Sequence, residues 1–67
     1  MIKLNQWIYD RGYMTALMGV MVSDISSVCE INDPYKNRSG SIITTKNGKK
    51  YEVKEDVRTV LSMMEKY

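Results

Sequence analysis

Lys46, Lys49, Lys50 and Lys54 gather around one Asn-Gly dipeptide, and Tyr35, Lys36 and Arg38 follow the single proline of the chain. Side chains of these types grip phosphate as cations, and Trp7, Tyr9, Arg11 and Tyr13 add flat faces on which a base could stack. Together they would form a basic-aromatic surface for a nucleotide or short nucleic acid. A plainer account, which we prefer, has the lysines protecting a hairpin from edge-to-edge pairing while the aromatics fill a core.

Other chemistry has less material. Histidine is absent, so Cys29 lacks the usual base that would activate a thiol, and it reads as a core cysteine. A lone cysteine forms no disulfide within one chain, and no second cysteine completes a structural metal site. Asp24, Glu30, Asp33, Glu52, Glu55, Asp56 and Glu65 are scattered and read as solvated or capping carboxylates. Neither Asn47-Gly48 nor Gly40-Ser41 stands in a glycine-rich turn that opens a helix, so neither is a phosphate loop. The expectation is a protein that is not an enzyme and needs no metal or cofactor.

Ten Lys/Arg against eight Asp/Glu leave a net charge of +2, too balanced for a dedicated nucleic-acid binder. A chain of 67 residues makes one domain, 1–67, near the lower size limit for a single core, and oligomerisation is the aid to stability that remains open to it. Trp7, Tyr9 and Asp10 stand where a signal peptide would need its apolar segment. The run at 13–22 is too short to cross a bilayer. A cytoplasmic protein with no membrane association is expected.

The elements that must position these residues follow from periodicity. Alternation over 2–9 sets Ile2, Leu4, Gln6 and Ile8 against Lys3, Asn5, Trp7 and Tyr9 and predicts a first strand. Asp10-Arg11-Gly12 reads as a turn. Residues 13–22, YMTALMGVMV, fit either a helical face or a buried strand, and Gly19, Val20 and Val22 favour a strand over 16–22. Ser23-Asp24 breaks it, Ile25 anchors the corner, and 26–32 form the next strand. Residues 33–40 form a loop.

Asn47-Gly48 predicts a two-residue type I′ hairpin in which Lys46 opposes Lys49, Thr44 opposes Tyr51 and Ile42 opposes Val53. Ile42, Tyr51 and Val53 then face the core, with Ile43, Thr45, Lys50 and Glu52 on the reverse. Over 55–66, the spacing of Val57, Val60, Leu61 and Met64 predicts a helix, with Glu55 and Asp56 at the positive end of its dipole. The fold class is α+β, a small antiparallel meander of four to five strands closed by one C-terminal helix.

With these elements placed, MIKL at 1–4, the Asp-Ile-Ser-Ser-Val corner at 24–28 and TKNGKKYEVKEDVRTVL at 45–61 resemble the small flagellar and swarming-motility protein family of the FlbD/SwrD type, and similar short phage and prophage proteins. Residues 9–23 and 33–40 look like additions to the shorter family pattern. The resemblance implies a small non-enzymatic accessory role and supplies no catalytic residues.

Five methionines besides Met1 suit an adaptable surface as well as an irregular core. A strand at 16–22 presents apolar side chains on two faces, and one helix covers one of them. The other needs a further sheet layer from the same chain or a second subunit, and self-association is expected through Met14, Leu17, Met18 and Met21, with Ile43 on the reverse of the hairpin. The functional expectation is a self-associating interaction or regulatory protein, phage-encoded or otherwise accessory, with a protein partner. The alternative is an inhibitor or sponge holding a nucleotide or nucleic acid through Trp7, Tyr9, Arg11, Tyr35, Lys36, Arg38, Lys46, Lys49, Lys50 and Lys54.

Overall fold

A computed structural model describes residues 1–9, 12, 14–35 and 38–66. These residues form β1 (Ile2–Ile8), β2 (Met14–Val20), a 3₁₀ turn (Val22–Asp24), β3 (Ile25–Glu30), β4 (Ser41–Thr45), β5 (Lys50–Val53) and α1 (Val57–Glu65). The strands make one antiparallel sheet in the order β2-β1-β5-β4-β3. The α+β expectation holds, with five strands and one C-terminal helix among the described residues.

The order of the strands dictates the shape of the sheet. Its two edges, β2 and β3, are consecutive in the chain and joined only by Met21–Asp24. The span from Val20 to Ile25 reaches at most about 18 Å when extended, and the 3₁₀ turn shortens it. The edges of a flat five-stranded sheet lie about 19 Å apart at roughly 4.8 Å per strand. The sheet must coil, and its inner face closes over Ile2, Leu4, Val20, Ile25, Ile43, Val53 and Val60. The helix packs against β3 and contributes Val60, which is fully buried.

The hairpin differs from expectation by one residue. Ser41 pairs with Val53, Ile43 with Tyr51 and Thr44 with Lys50. Gly48 N–H donates to Thr45 C=O at 2.9 Å, Thr45 N–H donates to Lys49 C=O at 2.9 Å, and Gly48 sits at φ +87°. The loop is thus Lys46-Asn47-Gly48, three residues ending in a left-handed glycine, rather than a two-residue turn. A shift of one residue exchanges the faces of one strand against the other. Ser41, Ile43, Thr45 and Val53 are buried, whereas Ile42 is only half-buried. Ile43, expected at an interface between subunits, is fully buried in the core and has no surface to offer a partner.

Other boundaries move less. The second strand runs Met14–Val20 rather than 16–22: it pairs with β1 from Ile8 opposite Met14, and Val22 leaves the extended backbone for the 3₁₀ turn. Ile25 does anchor the corner and is 9% exposed. In the helix, Asp56 is the N-cap and accepts from Thr59 N–H at 2.7 Å. Glu55 turns away from the helix dipole and accepts from Asn5 N–H and Nδ2, at 2.9 Å each for the shorter contacts. It links β1 to the start of α1 where the β1–β5 ladder has a single matched pair, Gln6 with Val53. Leu61, read as part of the buried stripe, is 46% exposed, whereas Met64 packs on the core as expected and Met63 joins it.

Candidate interaction surface

The predicted basic-aromatic residues divide between two places. Trp7, Tyr9 and Arg38 come together on the outer face, where the loop after β3 folds across the sheet. Ile31 N–H donates to Gly40 C=O at 3.0 Å, closing the loop at its base. Gly40 allows the close approach, since at φ +123° a Cβ there would lie 2.0 Å from the Val53 carbonyl oxygen. The Trp7 indole N–H then donates to Ser39 C=O at 2.9 Å.

Arg38 is the hub of this cluster. Its Nε donates to Asp33 Oδ2 at 3.2 Å, its Nη1 donates to Tyr9 Oη at 2.9 Å and to Glu52 Oε2, and its guanidinium carbon lies 5.3 Å from the centre of the Tyr9 ring. Tyr9 O–H donates to Glu52 Oε1 at 3.1 Å. Asp33 also accepts from Tyr35 N–H and Arg38 N–H.

Burial of Asp33 opposes its ionisation, but the hydrogen bonds from Tyr35 and Arg38 outweigh it and hold the carboxyl below its usual 3.8. Hydrogen bonds to Tyr9 and Asp33 raise the Arg38 pKa above its already high value. Desolvation, aided by Glu52, raises the Tyr9 phenol above 10.0. Two carboxylates engage this guanidinium, so the cluster works as a clasp holding a loop to the sheet.

The lysines do not join it as a group. Lys46 and Lys49 lie at the hairpin turn, a strand length away, roughly 14 Å at about 3.4 Å per residue. Lys46 N–H donates to Asp24 C=O at 2.8 Å, tying the turn to the β2–β3 corner. Lys50 and Lys54 are exposed, as is Tyr35 at 82%. Arg11, Lys36 and Tyr13 lie outside the described residues. Cys29 is an exposed free thiol on β3 rather than a core residue. Among the described residues no three His, Cys, Asp or Glu come together that could hold a metal ion, and no helix is long and apolar enough to cross a membrane.

The apolar run supplies the second place. β2 is a sheet edge, and no residue from Gly12 to Ser23 carries a charge. Its inner side chains face β1 as Ile2 with Val20, Leu4 with Met18 and Ile8 with Met14, and its outer ones as Lys3 with Gly19, Asn5 with Leu17 and Trp7 with Thr15. Coverage runs out toward Met14. Met14 is 54% exposed, Leu17 68% and the adjoining Met21 46%, while Met18 is half-buried against the core. Natural sheets guard such edges with charge, proline or a bulge, and β2 has none of these.

At the Val20 end a cleft of about 390 Å³ opens between β2, the corner and the hairpin turn, lined by Met1, Met18, Met21 and Tyr51 with Asp24, Lys46 and Asn47 at its polar side. Met1 Sδ lies 2.6 Å from where a Gly19 Cβ would stand, so the absence of a side chain on Gly19 lets Met1 cross the strand.

Sequence reasoning named the methionines but missed Asp33, Glu52, Glu55 and Ser39 as the groups that organise the other face. Asp33 before Pro34, with Arg38 five residues on, was the available signal for a loop capped by its own side chains. The chain matches no protein-family model, no curated protein and no solved structure.

Proposed function

We propose that this chain is a small, non-enzymatic interaction protein that accepts an extended segment along the β2 edge, self-associates and binds a protein partner. The observation that carries this reading is the uncharged, apolar edge with Leu17 at its centre, continuous with the methionine-lined cleft. Unpaired backbone N–H and C=O groups supply affinity to an incoming strand, and the cleft supplies a pocket for an apolar side chain. Methionine lining suits such a site because it repacks around differing partners. A cytoplasmic accessory or regulatory role, of the kind implied by the likeness to small flagellar and phage proteins, accords with a surface built for binding.

Selection from a displayed library of short extended peptides tests the reading. Peptides enriched on the wild-type chain should slow amide exchange along β2 and lose binding to a Leu17→Lys, Met21→Lys double variant. Peptides that bind the variant equally well would refute it. A salt-sensitive rise in melting temperature with nucleotides or oligonucleotides would instead direct attention to the outer face.

A further inference from the structure

The two edges of the sheet are not equivalent. β3 carries a bulge between Ile25 and Ser27 and ends in the charged Glu30, devices that resist edge pairing. β2 has seven residues in regular register with β1 and no bulge. Pairing of β2 with the β3 of another copy would be heterologous and would propagate as a filament, whereas pairing of β2 with β2 closes on itself.

We infer that the occupant of the β2 edge is a second copy of the same strand, running antiparallel about a two-fold axis at Leu17. This rests on the reading of β2 as an edge that accepts a strand, and it names the partner. Three features favour a copy over a foreign strand. The absence of charge from Gly12 to Ser23 removes the like-charge repulsion that normally opposes self-pairing. Leu17 is the strand's midpoint and the most exposed of its large apolar side chains, so the axis brings that apolar surface onto its own equivalent.

The third feature is fit. In this register Ala16 faces Met18 and Thr15 faces Gly19 across the axis, each pairing a larger side chain with a smaller one. Small neighbours at Thr15 and Gly19 leave room on the outer face for the two leucines, and Met1, lying over Gly19, extends the apolar strip on both sides. The two sheets become one.

A junction of two seven-residue edges is small beside the roughly 1,200–2,000 Å² of a standard interface, so association belongs at tens to hundreds of micromolar. Light scattering over that range should show the mass of the full chain rising toward twice the monomer. Leu17→Lys and Leu17→Glu should each weaken self-association by about tenfold or more, because like charges would meet on the axis and the leucine burial is lost. An equimolar mixture of the two should associate better than either alone. That rescue is specific to a contact of position 17 with itself.

Both variants stand at an exposed position, and circular dichroism should show unchanged folding. A wild-type chain that stays monomeric throughout, or a mixture no better than the single variants, would overturn the inference. If selected peptides still protect β2 in a monomeric chain, the edge accepts foreign strands and the second-copy assignment alone fails. If nothing protects β2, both fail.

Discussion

Replacing Val60 by alanine tests how the helix is held. Val60 is 0% exposed and is the one fully buried α1 side chain among the described residues, whereas Leu61 beside it is 46% exposed. Val60→Ala removes two carbons, each contributing about 0.8 kcal/mol of transfer free energy, and leaves a small cavity that adds on the order of 0.5–1 kcal/mol. The better helix propensity of alanine returns roughly 0.5 kcal/mol.

The net loss is about 2 kcal/mol, against the roughly 3–10 kcal/mol expected for a chain of this length at about 0.05–0.15 kcal/mol per residue. For a domain of this size that lowers the melting temperature by about 8–16 °C. Leu61→Ala keeps much of its original contact with water and should cost less than about 1 kcal/mol. Urea and thermal unfolding followed at 222 nm measure both. Equal losses for the two variants would mean that the helix does not dock through Val60, and the inner face would have to be covered some other way.

Two glycines with positive φ should respond differently. Gly40→Ala meets the Val53 carbonyl and the Lys54 backbone and should unfold the chain or leave it insoluble, while Gly48→Ala, with open space around it, should cost only about 1–2 kcal/mol of left-handed strain; denaturant midpoints decide. Arg38→Ala removes the hub between Asp33, Tyr9 and Glu52, so Trp7 emission should shift to the red as the loop detaches from the indole, with far-ultraviolet dichroism unchanged. An unaltered spectrum would show that the Trp7–Ser39 bond holds the loop unaided.

Stability should also fall at both ends of the pH scale. Asp33 and Asp56 have folded pKa values below their usual 3.8, so their contribution is complete above that value and lost as pH drops through the folded values. Tyr9 has a folded pKa above 10.0, so its contribution is complete below 10.0 and lost as pH rises through the folded value. Asp33→Asn should flatten the acid limb, and Tyr9→Phe the alkaline limb, in melting-temperature profiles.

Periodicity of the kinds that local backbone geometry imposes was readable in the chain itself. Alternation marked β1, the Asn47-Gly48 pair marked a hairpin, and the 3.6-residue spacing after Asp56 marked α1, because each depends on residues close in sequence. The α+β class followed from their order. Tertiary structure decided what those local patterns left equivalent. A two-residue and a three-residue turn both use Gly48, and only the depth of Ile43 against Leu4 and Val53 selects between registers.

Leu61 and Met63 both lie within reach of a helix stripe, and the angle at which α1 meets β3 buries one side and exposes the other. Arg38 and the lysines of the Asn-Gly turn, Lys46 and Lys49, were separated by the length of a strand, while Trp7, Arg38 and Glu52, far apart in the chain, were brought together by the β1–β5 pairing and the loop across it. The uncharged run at 13–22 was visible in the order of residues alone. Its place at an edge came from the strand order, which joins β1 to β5 and, among the described residues, leaves β2 paired on one side only.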